Sequence, residues 1–190
     1  MYSTDSDRWR VRATVDKYDS DQSLWALNRA SAVWLPGDQL RAMVGPPSGS
    51  VAVNGNMLLT AGVTRLMSLF TGAGGQALTN TATRVGVGTS TATEAMNQTD
   101  LQAPAGAANR WFQVMDATYP QQTSGVITAK GTFGVSDANF AWNEWGIDIG
   151  NPTVTSGTTV NSCLVNRKRV TLDVKAQGTM WVFTVTLTIG

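Results

Sequence analysis

The sequence predicts a mainly β protein: an antiparallel β-sandwich or jelly-roll-like body with one amphipathic helix and an extended N-terminal arm. Residues 180–189 alternate between apolar and Thr-rich positions, which is typical of an antiparallel strand with one buried face. Several short apolar runs between positions 83 and 189 are separated by turn residues. Only 14% of the 190 residues are charged, against a usual share of about 25%, which favours neutral polar surfaces.

Composition also argues against several classes of function. The formal net charge is +1 at pH 7, so no overall field would draw the protein to nucleic acid or to an anionic membrane. The chain has no histidine, and Ser-His-Asp systems, Cys-His systems and most zinc sites are therefore excluded in their usual forms. The Gly-rich stretches lack the spacing of phosphate-binding motifs. We expect no cofactor, no metal, no nucleic acid and no membrane partner.

Residues 1–45 are predicted to form an N-terminal arm that begins with a strand. In the stretch RWRVRATV, period two separates an apolar face from a basic face. The apolar face comprises Trp9, Val11, Ala13 and Val15, and the basic face comprises Arg8, Arg10 and Arg12. The basic face either lies against an acidic surface of a partner or belongs to an edge strand whose arginines point to water and prevent pairing. Residues 24–32 fit a short helix capped by Ser23, although a strand is also compatible with them.

Residues 46–56 carry paired prolines and small residues, so we predict a linker there and a β-sandwich body over residues 57–190. The body opens with the strongest helix signal of the chain, in which Asn56 is the expected N-cap. Apolar side chains recur at helical spacing: they are Leu58, Leu59, Val63, Leu66, Met67 and Phe70. This stripe is expected to pack on a sheet or on symmetry-related copies.

Beyond position 83 the periodicity changes to two. A short strand within residues 83–91 precedes a long polar loop over residues 91–108, and loops of this length in compact proteins are often functional. In the aromatic strand at residues 140–149, period two places Trp142 and Trp145 on opposite faces. Such a strand needs cover on both sides, so it is either central or shared between the core and a subunit interface. Residues 162–189 are predicted to form a terminal hairpin.

The only carboxylates near the aromatic strand are Glu144, Asp148 and Asp137. Two of them could form the acid pair of a glycoside hydrolase. The simpler interpretation, which we prefer, is that Glu144 is buried against an arginine such as Arg84, Arg167 or Arg169. The basic triplet at residues 167–169 is likewise expected to form salt bridges rather than to bind phosphates.

Four stretches of the sequence carry a resemblance to a known family. In chain order they are RVGVGTSTATEAMNQTDL (84–101), NRWFQVMDATYP (109–120), GTFGVSDANFAWNEWGIDI (131–149) and LVNRKRVTLDVKAQGTMWVFTVTLTI (164–189). Their succession resembles a family of small structural proteins of tailed-bacteriophage virions. Its members share a GVG strand, a DATYP turn, an ANFAWNEWGI strand, an NRK strand and a closing Thr-rich strand. The resemblance covers residues 56–189.

The resemblance implies a virion part without enzymatic chemistry. We expect a capsid decoration (cement) protein, made in the host cytoplasm, that sits on the capsid surface as a homotrimer and binds the major capsid protein. The alternative is a tail, baseplate or fibre component involved in host attachment, with residues 91–108 and the hairpin tip at 151–162 as its binding edges. The candidate interface residues are Arg8, Trp9, Arg10, Val11, Arg12, Trp142, Trp145, Arg167 and Arg169.

Overall fold

The structure is a computed structural model that describes residues 9–150 and 162–189. Its two antiparallel sheets pack face to face, as predicted, and three helices accompany them. The helices are α1 (Ser20–Ala30), α2 (Gly37–Val44) and α3 (Thr60–Phe70). The strands are β1 (Trp9–Tyr18), β2 (Gly49–Asn54), β3 (Met57–Leu58), β4 (Thr83–Gly88), β5 (Arg110–Val114), β6 (Gln121–Thr123), β7 (Val126–Phe133), β8 (Ala141–Gly150), β9 (Ser162–Leu164), β10 (Asn166–Val174) and β11 (Met180–Ile189).

The first sheet has the strand order β2-β1-β11-β7-β6. Strand β1 lies between β2 and β11 and pairs with both along most of its length. Its inward side chains Val11, Ala13 and Val15 belong to the main core. The prediction of a separate arm over residues 1–45 is therefore wrong for the described residues, because β1 is an interior strand of the body.

The predicted linker at residues 46–56 also belongs to the body. It contains β2, which pairs with β1 and forms one edge of the first sheet. The paired prolines precede this strand and end α2, so they mark a turn between two elements of one domain. Composition alone did not distinguish a short edge strand of small residues from a linker.

The second sheet has the order β3-β10-β8-β4-β5, and β9 pairs with the end of β8. The aromatic strand β8 is central, which is one of the two positions predicted for it. The predicted terminal hairpin is wrong, because β10 lies in the second sheet and β11 in the first. Residues 175–179 thus cross between the sheets instead of forming a tight hairpin turn.

The main core lies between the two sheets and is dominated by aromatic side chains. The ring of Phe183 on β11 lies 6.1 Å from that of Trp142 and 5.3 Å from that of Trp145. Both tryptophans therefore face the same core, and the prediction that they lie on opposite faces is wrong. Beside these tryptophans the pairing of β8 with β10 is irregular, because its register shifts between Arg169 and Asp173. Such an irregularity departs from the regular pairing that strict period two assumes.

Helices α1 and α2 cover one half of the outer face of the first sheet. They pack on Tyr18, Met180 and Val182, which point away from the main core. Helix α1 begins earlier than predicted: its N-cap is Asp19, which forms a capping box with Gln22. Residues predicted as part of an arm therefore form a second, smaller core against the sheet.

Helix α3 confirms the predicted helix but begins later than expected. Residues 57–58 form β3 against β10, so Asn56 cannot be the N-cap, and Leu59 takes that position without a side-chain hydrogen bond. Gly62 is the one residue of α3 that is buried. A Cβ atom there would overlap the carbonyl oxygen of Val165, so the absent side chain lets the helix backbone approach the second sheet.

Candidate interaction surfaces

The structure divides the predicted interface residues into two groups. Trp142, Trp145 and Arg167 have no exposure at all, so their assignment to an interface is wrong. Val11 is likewise buried, at 5% exposure. The exposed candidates are Arg10, Arg12 and Arg169, while Arg8 and the side chain of Trp9 lie outside the described residues.

Arg167 and Glu144 form a buried ion pair on the outer face of the second sheet. The Arg167 Nε donates to Glu144 Oε2 at 2.6 Å, and both side chains are fully buried. This confirms the expectation that Glu144 is the partner of an arginine. Gly88 on the neighbouring strand makes room for the carboxylate, because a Cβ there would contact Glu144 Oε1. The second glycine of the GVG motif thus has a packing role.

The same ion pair holds the long loop between β4 and β5. Glu144 accepts hydrogen bonds from the backbone N–H groups of Gln102, at 3.1 Å, and of Ala103, at 2.7 Å. Arg167 donates to the carbonyl oxygen of Ala92 at 2.9 Å and to Gln98 Oε1 at 3.1 Å. Every charged atom of the pair is therefore engaged inside the protein, as buried charges require.

This geometry does not suit a glycoside hydrolase. Such an enzyme needs an acid that reaches its substrate from a cleft, whereas Glu144 is sealed under the loop. Asp148 is only 2% exposed and is paired across the strands with Arg84, whose pKa is lowered by burial. Asp137 accepts from the backbone N–H of Gly134 at 2.8 Å and closes a turn.

The DATYP turn has a structural role that the sequence did not reveal. Asp116 accepts from the backbone N–H of Gly37 at 2.8 Å, and from the N–H and hydroxyl of Thr132 at 2.9 and 2.7 Å. It therefore caps α2 from another element and ties that helix to β7. Burial raises the pKa of Asp116, while the three donors favour its charged form. The Nδ2 of Asn80 donates to the backbone carbonyl oxygens of Asp116 and Tyr119, and these hydrogen bonds hold the DATYP turn itself.

The first uncovered surface lies on α3. Met67 is 54% exposed and Phe70 is 73% exposed. Between the C-terminal half of α3 and the end of the sandwich lies a cavity of about 350 Å³ with only apolar side chains around it. Its lining residues are Leu58, Val63, Leu66, Met67, Leu69, Phe70, Leu78, Ile127, Ile147, Val165 and Leu187. The predicted stripe thus faces a partly filled space instead of a close-packed core.

The second uncovered surface is the half of the outer face of the first sheet that α1 and α2 leave free. We call it the Arg-Thr face. The strand register places on it Arg10, Arg12, Thr14, Ala52, Asn54, Gln121, Thr123, Val126, Thr128, Lys130, Thr184, Thr186 and Thr188. Among these described residues are three cations and no carboxylate, and Lys130 is paired with Asp38 of α2.

The pairing of β1 decides between the two interpretations of its arginines. Because β1 is an interior strand, Arg10 and Arg12 cannot serve to block an exposed edge. The edge-strand interpretation is therefore wrong, and the arginines stand on a sheet face instead.

No family model, no curated protein and no solved structure matches this chain. Within the described ranges no helix has the length and apolar character needed to cross a membrane. Over the same residues, no three Asp, Glu, Cys or His side chains are grouped so that they could hold a metal ion. The case for either surface as a contact site therefore comes from its geometry alone.

Proposed function

We propose that this chain is a structural protein of a tailed-bacteriophage virion, a non-enzymatic capsid decoration (cement) protein that binds the assembled head as a trimer. Its partner would be the major capsid protein, and its location the capsid surface. The proposal joins the order of sequence motifs to two uncovered surfaces suited to protein contacts.

The observation that carries the proposal is the apolar surface of α3. Large contiguous apolar patches on the surface of soluble proteins are typical of contact sites. Phe70 and Met67 project beside a cavity without polar lining, and a neighbouring copy could cover both. A symmetric oligomer repeats every weak contact with the shell, so its attachment gains through multivalency.

The placement of the motif residues supports the same function. The motifs that carry the resemblance to the phage family lie in β4, β8, β10 and β11, and in the DATYP turn. Glu144, Arg167 and Asp116 within them bind other parts of the same chain. Polar motif residues that are engaged in contacts within the chain are not free to act on a substrate. Such motifs therefore suit a structural protein better than an enzyme.

The position in the particle tests the proposal directly. Purified virions would be labelled with an antibody against this chain and imaged by electron microscopy. We expect many copies spread over the head. A few copies confined to the tail tip would contradict the decoration role and favour a tail, baseplate or fibre component.

The oligomeric state tests the role of α3. Native mass spectrometry of the purified chain is expected to give a trimer, and Phe70→Glu should shift it to monomer because a charge cannot be buried unpaired in an apolar contact. Val33→Glu is the matched control, since Val33 is 89% exposed and lies outside this surface. A wild-type monomer at micromolar concentration would contradict self-association.

A further inference from the structure

We propose that a cavity beside the polar side of α3 binds a small ligand through an anionic group, a carboxylate or a phosphate, with Arg65 as the residue that binds the charge. We call it the Arg65 cavity. It lies between α3, the glycine-rich turn that follows this helix, the loop between β4 and β5, and β9. The inference goes beyond the proposed function, because it assigns a ligand to a different side of α3 from Met67 and Phe70.

The sequence of α3 places a polar side of the helix in this cavity. Thr60, Thr64 and Ser68 recur every four residues and therefore share one side of the helix, with Arg65 next to Thr64. All four line the cavity. The polar side of a helix usually faces open solvent, but here it is one wall of a concave space of about 780 Å³. Small-molecule sites usually have volumes of about 300–1,000 Å³.

The charge of Arg65 is not neutralised by the protein. Arg65 is the one charged side chain among the described residues that line the cavity. Its Nη1 donates to the carbonyl oxygen of Gln76 at 3.2 Å, and no described carboxylate forms an ion pair with it. A guanidinium has five N–H donors, so most of them stay available. Such a group complements a carboxylate or a phosphate.

The turn after α3 holds this guanidinium in place. Gly75 has a φ of +108°, and a Cβ atom there would lie 3.0 Å from both Cδ and Nε of Arg65. Because glycine has no side chain and accepts a positive φ, the turn can pass directly against the arginine. The hydrogen bond to Gln76 fixes the same side chain from the same turn. A side chain that is already ordered loses less conformational entropy when a ligand binds.

The remaining lining is neutral. Asn97 and Thr99 of the loop between β4 and β5 are exposed and offer amide and hydroxyl donors. Burial raises the pKa of the Cys163 thiol, an effect that Arg65 opposes and Asp148 increases, so this thiol is neutral at pH 7. Asp148 itself is 2% exposed and does not line the cavity. None of the described lining side chains is aromatic, so a nucleobase would have no stacking surface.

Isothermal titration calorimetry at low ionic strength can test the proposal with inorganic phosphate, glucuronate and glucose. We expect at least one of the two anions to bind and glucose not to bind, and the anion that binds more tightly identifies the group. Arg65→Gln should weaken this binding about tenfold or more, because charge-assisted hydrogen bonds are lost. Arg65→Lys keeps the charge but not the planar pair of donors, so its affinity should be intermediate. Arg29→Gln is the matched control, because Arg29 is an exposed arginine outside the cavity.

Three results would overturn the proposal. These are no binding of either anion at millimolar concentration, equal affinity of Arg65→Gln and Arg29→Gln for the preferred anion, and glucose binding as tightly as that anion. Thermal denaturation establishes that the variants are folded, and the comparison with glucose uses the wild type, so it decides the question even without Arg65→Gln. None of these results bears on where the chain lies in a virion, so failure here is distinguishable from failure of the decoration role.

Discussion

Arg167 and Glu144 meet at 2.6 Å between Nε and Oε2 on the outer face of the second sheet, and water reaches neither side chain. Around this pair the loop between β4 and β5 supplies two backbone N–H donors and two acceptors. One charged contact thus joins β8, β10 and a segment with no regular secondary structure. The stability of the loop depends on it.

Glu144→Gln should lower the free energy of unfolding by about 3–5 kcal/mol, because it leaves the Arg167 charge buried without a counter-charge. Urea denaturation measures this loss. Asp173→Asn is the matched control: Asp173 pairs with Lys17 at 2.8 Å but is largely exposed, so its loss should be below about 1 kcal/mol. Similar effects of the two substitutions would contradict a structural role for Glu144. Retained stability with lost polysaccharide cleavage would restore the enzyme alternative.

Trp142→Ala should destabilise the protein by about 3–5 kcal/mol, as expected for removal of a large side chain from a core. Trp142 packs against Phe133, Trp181 and Phe183 and has no exposure. Trp25→Ala provides the comparison, because Trp25 is 51% exposed on α1 and its loss should be small. Equal losses of stability for the two substitutions, or an effect of Trp142→Ala on subunit association alone, would instead support a place for Trp142 in an interface.

Gly62→Ala should destabilise α3 although alanine is the better helix former. The intrinsic gain is about 1 kcal/mol, but the new Cβ overlaps the backbone of Val165, and overpacking of this kind costs about 1–3 kcal/mol. Limited proteolysis should then cut near residues 71–76. Thr64→Ala on the exposed side of the same helix should have no such effect. A Gly62→Ala protein more stable than wild type would show that the backbone of α3 does not pack closely against Val165 at this position.

The buried Lys175 predicts a dependence of stability on pH. Burial lowers the pKa of Lys175 from 10.5 to about 8, while its Nζ donates to the carbonyl oxygen of Gly134 at 2.8 Å. Between these pH values the unfolded chain keeps a proton that the folded chain has lost, so the free energy of unfolding should rise with pH. The contribution of this one group is at most about 3 kcal/mol.

Comparison with Lys175→Met isolates this effect. Burial raises the pKa values of Cys163 and Tyr18, so these groups reduce stability as the pH rises through their own ranges. Both proteins contain them, and the difference between the two pH profiles belongs to Lys175. Parallel profiles between pH 8 and 10 would contradict the lowered pKa.

The pattern within the last strand was predicted well. The alternation in β11 places Trp181, Phe183, Val185 and Leu187 in the core, as the period indicated. The burial of Glu144 against an arginine was also expected, because a carboxylate within a run of large apolar residues needs a counter-charge. These features depend on neighbours in sequence or on residue chemistry alone.

Features that depend on pairing between distant segments were not predicted. The sequence of β1 is equally compatible with an arm, an edge strand or an interior strand, because a strand in any of these positions can have one apolar face. Its position between β2 and β11 joins the two ends of the described chain. The bulge opposite Trp142 and the capping of α2 by Asp116 likewise arise from contacts across the fold.

The sequence by itself determined a β-rich chain with an aromatic core, a helix near residue 60 and no histidine chemistry, because periodicity and composition are local properties. Only the tertiary structure decided which side chains remain uncovered. It buried Trp142, Trp145 and Arg167, and it left Arg12 and Phe70 at the surface. Exposure is set by which elements pack over one another, and the free energy of that packing is shared among residues far apart in the chain.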